Sequence, residues 1–140
     1  MKAKKTTWRV LATMLILVLA VSMLAGCSKP KSVEEAIAKD EKAKKQIESI
    51  ADQNGMEIKI EGNTVTYLVK LDSEVDKELI ETYKSAFDEA FKEQEKTMVD
   101  AVKQLEDELE IKGVIFAVKV TDSKDQTVYE TTFDANGMKS

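Results

Sequence analysis

MEIKIEGNTVTYLVKL, residues 56–71, is the stretch that decides the fold. Met56, Ile58 and Ile60 alternate with Glu57, Lys59 and Glu61, the period-two pattern of a strand with one buried face. Gly62-Asn63 makes a two-residue turn of the hairpin kind. Val65, Tyr67, Val69 and Leu71 then carry the apolar face back along a return strand.

Working outward, the segment before the hairpin is helical. Ser32-Val33-Glu34-Glu35 has the form of a capping box, and Ala36, Ile37, Ala43, Ile47, Ile50 and Ala51 recur on one face at three- and four-residue spacings. Asp40 interrupts that face and offers a cap for a second segment, so a break near residue 39 is expected. Asn54-Gly55 stops the helix, because glycine accepts the left-handed conformation of a C-cap.

After the hairpin, a helical pattern runs from about Glu74 to Glu110. Leu79, Tyr83, Phe87 and Phe91 recur every four residues, and Met98, Val102, Leu105 and Leu109 resume after a polar gap at Gln94 and Glu95. A single straight helix of that span exceeds roughly 50 Å, so either its middle protrudes or it bends near Gln94–Thr97. Gly113 is expected to end it. Val114, Phe116, Val118 and Val120 alternate as a third strand, residues 122–126 turn, and Thr127, Tyr129, Thr131 and Phe133 return as a fourth, leaving a frayed tail.

The element order is helix–hairpin–helix–hairpin. Placing Gln46 on Gln104 also places Gly55 on Gly113, and a second turn four residues longer aligns Tyr67 with Tyr129. The expectation is an α+β domain in which two helix–hairpin units join into a four-stranded antiparallel sheet, packed against helices on one face. The aromatics Tyr67, Tyr83, Phe87, Phe91, Phe116, Tyr129 and Phe133 all fall on apolar faces and are assigned to the core.

The N-terminus carries different information. Lys2, Lys4, Lys5 and Arg9 precede an uncharged run from Val10 to Ser28, whose strongly apolar part, Met14 to Leu24, has the length of a signal-peptide core. Its end, Leu24-Ala25-Gly26-Cys27, resembles the lipobox of bacterial lipoproteins. The resemblance implies a signal peptide over residues 1–26, cleavage between Gly26 and Cys27, and a diacylglyceryl group on the Cys27 thiol, a lipid modification of the palmitate type. Residues 27–32 then form a lipidated tether, with Pro30 blocking helix, and 33–140 form one domain. Two acyl chains hold stably where one is marginal. The implied location is the extracytoplasmic side of the cell membrane, anchored through diacylglyceryl-Cys27.

Chemistry is sparse beyond the anchor. The chain has no histidine and Cys27 is its single cysteine, which excludes disulfides, cysteine nucleophiles, His-dependent acid–base catalysis and the usual zinc sites. Subtracting the four early basic residues from 21 leaves 17 against 26 acidic residues, a net charge of −9 beyond residue 26. Such a body is repelled by nucleic acid and by anionic head groups. The acidic run Glu106-Asp107-Glu108-Glu110 does not converge on one ion, because adjacent helical residues point apart; it is read as a solvated helix end. A Ser–Lys dyad through Ser73, Ser85 or Ser123 has nothing to mark it. No catalytic residue, cofactor or metal is assigned, and the chain is read as not an enzyme.

Lipobox, tether, capping-box start, "NGMEIKIEGNTVTYLVK", the long acidic helix and "GVIFAVKV…YETTF" together resemble small lipoproteins of Gram-positive bacteria that carry one domain of unknown function. That resemblance implies fold and location but no activity. A weaker likeness is to the αββ units of PepSY-type domains, through Phe133-Asp134-Ala135-Asn136-Gly137, one residue short of the PepSY phrase. The leading expectation is a non-catalytic binding module for a protein or small ligand still to be identified, contacting it through the sheet face away from the helices, at Leu68, Ile115 and Ala117. The alternative is a protease-inhibitory or chaperone-like module of PepSY type, which requires the tandem αββ repeat. An enzyme would need a concave site with convergent carboxylates.

Overall fold

The central hairpin forms as its alternation demands. In the computed structural model, which describes residues 30–53 and 55–139, strands β1 (Met56–Glu61) and β2 (Thr64–Lys70) pair antiparallel with Glu61 opposite Thr64. Gly62 sits at φ 59 as the first residue of the two-residue turn, the position where a II′ hairpin demands glycine. The signal segment 1–26, the Gly26–Cys27 cleavage pair and Asn54 of the helix stop lie outside the described residues.

Around the hairpin lie helices α1 (Val33–Ala38), α2 (Glu41–Gln53), α3 (Ile80–Glu93) and α4 (Glu95–Leu109), and strands β3 (Ile115–Thr121), β4 (Thr127–Asp134) and β5 (Gly137–Lys139). Asp40 separates α1 from α2 as its position implies, for its Oδ1 accepts the N–H groups of Lys42 and Ala43 at 2.9 and 3.2 Å. The long helix breaks at Gln94, so the bend is real. It starts at Ile80, after a 3₁₀ turn at Lys77–Leu79, and Leu79 is 47% exposed instead of joining the apolar face. Glu110, at φ 54, supplies the left-handed residue that stops α4, not Gly113, which turns the chain into β3 at φ 79.

The sheet corrects the expected topology. It has five strands in the order β1-β2-β3-β4-β5, and β2 and β3 run parallel, with Thr64 opposite Ile115 and Lys70 opposite Thr121. The cause is the crossover. β2 leaves the Gly62–Asn63 end of the sheet, and α3 with α4 then makes one bent pass back to that end. There the Nδ2 of Asn63 donates to Lys112 O at 3.1 Å, and Ile115 N donates to Asn63 O at 2.9 Å. A strand entered after a single helical pass runs parallel to the one before it. The tail expected to fray forms a strand as far as Lys139: Asp134 Oδ1 accepts from Asn136 N at 2.8 Å, and β5 closes against β4.

One face of the sheet forms the core, buried from β2 to β4 and half-buried at Ile58 and Ile60 on β1. Ile58, Tyr67, Val118 and Thr131 sit abreast across β1 to β4, and Ile60, Val65, Phe116 and Phe133 form the next row. These rows join Phe87, Phe91, Met98, Leu105 and Val33 in a single core. Helices α1 to α4 therefore cover the same face. That excludes the tandem repeat: superposing β3 on β1 needs a half-turn about the sheet normal, which carries β4 to the side of β1 opposite β2. The two helix–hairpin units are mirror-handed and not copies of one another.

The assigned aromatics fill the core, apart from half-buried Tyr83. Tyr129 stacks between Phe87 and Phe91 at centroid distances of 5.6 and 5.7 Å, and Phe91 leans on Phe133 at 6.0 Å. Tyr67 is fully buried edge-on to Phe116, and its hydroxyl has no hydrogen-bond partner among the described residues. Burial pushes that phenol far above its usual range. An unsatisfied buried hydroxyl costs about 1–3 kcal/mol, so Tyr67→Phe should raise stability by about 1 kcal/mol in chemical denaturation. A loss of similar size would show that the hydroxyl is bonded in solution.

Candidate functional site

Strand alternation sends a second set of side chains to the face that no helix covers. Leu68 lies between Glu57 on β1 and Lys119 on β3, Ala117 between Thr66 and Thr132, and Ile115 beside Thr64. All three predicted contact residues are half-buried on this face and form a diagonal stripe. Among the described residues no aromatic side chain joins the stripe, and threonine, lysine and glutamate flank it.

At the end remote from the Gly62–Asn63 turn, this face deepens into a depression of about 680 Å³ around Leu68, whose lining includes Glu57, Lys59, Lys70, Lys119 and Asp125. Lys70 Nζ is 3.0 Å from Asp125 Oδ1, and Lys119 Nζ is 3.7 Å from Glu130 Oε1. Lys59 is exposed. An apolar centre with mixed charges at its rim is the layout of a small protein-contact patch. Sequence reasoning found Leu68 but missed the lysines, because they converge only once β2 and β3 are registered side by side.

A second recess, of about 550 Å³, opens between α3 and β4 at Lys84, Ser85, Asp88, Thr127, Tyr129 and Glu130. The Tyr129 hydroxyl donates to Asp88 Oδ1 at 3.1 Å, and Lys92 Nζ lies 3.0 Å from Asp88 Oδ2. This chain clamps helix to strand above the aromatic stack. The Lys84 ammonium reaches Glu81 at 3.7 Å and not the neighbouring Ser85. Ser73 and Ser123 meet through backbone alone, Ser123 N donating to Ser73 O at 3.3 Å. None of the three serines considered for a dyad is paired with a lysine among the described residues.

Two carboxylates, one read as part of a solvated helix end and one as a turn residue, are buried. Glu106 is 6% exposed, and its Oε2 accepts from Val114 N at 3.2 Å, tying the end of α4 to the start of β3. Asp122 is fully buried: its Oδ1 accepts from Lys124 and Gln126 N–H, both at 2.9 Å, and its Oδ2 accepts from Val75 N at 3.1 Å. It therefore fixes both the β3–β4 turn and the segment that enters the crossover. Burial works against the charge, but the hydrogen bonds from Val75, Gln126 and Lys124 outweigh it and hold the carboxyl below its usual range.

Because the folded-state pKa is depressed, Asp122 stabilises the fold above its unfolded value of about 3.9, and that contribution is lost as pH falls through the folded value. Asp122→Ala should be destabilising at neutral pH and should flatten the acid limb below about pH 4. Urea midpoints across this range should fall more steeply for the parent chain than for the variant. Equal slopes would remove Asp122 from the acid response.

Searches of curated proteins and of solved structures give no match. The family defined as a domain of unknown function, DUF4854, matches residues 33–133, from the first residue of α1 to the last inward aromatic of β4. With α1 to α4, β1 to β3 and all but the last residue of β4 inside that match, the chain belongs to the DUF4854 family.

Proposed function

We propose that the protein is a lipid-anchored module of the extracytoplasmic face of the cell membrane that acts by binding another protein and not by catalysis. The observation that carries this reading is the junction of Leu24-Ala25-Gly26-Cys27 with a domain that begins at Val33. Six residues span at most about 21 Å, so a diacylglyceryl group on Cys27 holds the folded body against the bilayer surface. No helix among the described residues is long and apolar enough to cross a membrane, and the lipid does the anchoring.

The contact surface is the uncovered sheet face, centred on Leu68 and continued by Ala117 and Ile115. Its support is positional: these are the apolar groups that strand alternation turns away from the core. Its test is site-specific photocrosslinking in intact cells. A photoreactive residue at position 68 should yield a discrete adduct that the same residue at exposed position 79 does not. Absence of any adduct at 68, 115 and 117, or the same adduct at 79, would remove this face as the contact surface.

A further inference from the structure

The sheet ends on one side at β1, whose outer edge has no strand beside it among the described residues. The direction of its free groups can be read from its neighbour. Asn63 O and Leu71 N both bond to the β3 side, so odd-numbered residues of β2 aim their backbone groups at β3 and even-numbered ones at β1. Thr64, Thr66 and Leu68 therefore hold Glu61, Lys59 and Glu57. The backbone groups of Ile58 and Ile60 point outward. Both side chains are half-buried, at a groove of about 270 Å³ between β1 and the α1–α2 elbow that Ile37 and Ile47 also line.

We propose that β1 pairs antiparallel with β1 of a second copy of this chain, joining two five-stranded sheets into one across a two-fold axis at Ile58. The charge pattern on the exposed face of β1 selects that register. With the axis at Ile58, Glu57 of each copy faces Lys59 of the other, Ile58 faces Ile58, and Ile60 faces Met56. The same hydrogen-bonding phase also permits an axis at Lys59, but that sets Lys59 against Lys59 and Glu57 against Glu61, like charges at every exposed pair. An axis at Ile60 matches charges but runs the overlap into the Gly62 turn. A lone edge with outward amides recruits another strand, and the E-x-K-x-E pattern makes this edge complementary to itself. The two-fold lies along the sheet normal, so both Val33 residues stand at one height and both tethers can reach a bilayer parallel to the sheet.

The test is sedimentation velocity of the full chain in detergent at micromolar concentrations. The parent chain should sediment as a dimer. Lys59→Glu and Glu57→Lys should each weaken association by roughly tenfold or more, because both cross-strand pairs turn repulsive. The double variant Glu57→Lys/Lys59→Glu restores opposite charges and should recover the parent affinity to within about threefold. Unchanged thermal unfolding of the exposed-site variants confirms that the fold is intact. A monomeric parent, whatever peptide or protein then joins its edge, overturns the proposal. So does a dimer indifferent to both single reversals, or a double reversal that fails to restore it.

Discussion

Phe91→Ala should lower the unfolding free energy by about 3–5 kcal/mol, the range for deleting a fully buried phenyl group. Phe91 is fully buried in the last turn of α3, one turn before the break at Gln94, and its ring lies within 9° of parallel to Tyr129. It also supports Phe133, so one residue carries the bent crossover onto β4. Domains of this size have about 5–15 kcal/mol in total, and the variant should be partly unfolded under mild heating. Tyr129→Phe is the contrast. It keeps the stack and loses the bond to Asp88, for an expected cost of about 1 kcal/mol. Chemical denaturation of both separates the contributions; a cost below 1 kcal/mol for Phe91→Ala would mean that the crossover is held elsewhere.

Cys27→Ala should abolish membrane retention of any processed form. On the anchor reading, removing the thiol removes the acceptor for the diacylglyceryl group, and the chain either accumulates as an unprocessed precursor or leaves the membrane. The net charge of −9 beyond residue 26 opposes electrostatic attachment of the body to anionic head groups. Cell fractionation with immunoblotting reads the outcome directly. Unaltered processing and retention would show that Cys27 is not the anchor.

Much of the fold was legible locally. The alternation of Met56 to Leu71 gave the hairpin, Asp40 gave the first helix break, and the polar pair at Gln94 and Glu95 gave the second. The same alternation put Leu68, Ile115 and Ala117 on the uncovered face, where they are. The parallel joint between β2 and β3 was missed, although it follows from the long helical pattern once the number of passes is counted. One pass returns the chain to the end from which β2 started; an antiparallel β3 beside β2 needs two. The apparent alignment of Tyr67 with Tyr129 drew the reading toward a repeat that the single pass forbids.

What stayed illegible depends on partners distant in sequence. Asp122 reads as an ordinary turn residue and Glu106 as one charge in a solvated run, because nothing local shows that Val75 or Val114 will present an N–H to them. Asn63 reads as a turn residue, yet it also accepts from Val33 N at 3.1 Å and so ties the first helix to the hairpin. Glu110 occupies a left-handed position that composition assigns to Gly113. The lysines around Leu68 alternate correctly strand by strand, but their convergence is a property of the β2–β3 register.

The most direct test of the account is the mass of the mature N-terminus, taken from the membrane fraction. The anchor reading predicts a chain that begins at Cys27 and carries a diacylglyceryl group on its sulfur, with no peptide from residues 1–26. A chain that retains residues 1–26 with a free Cys27 thiol, or one cut elsewhere and unlipidated, would contradict it.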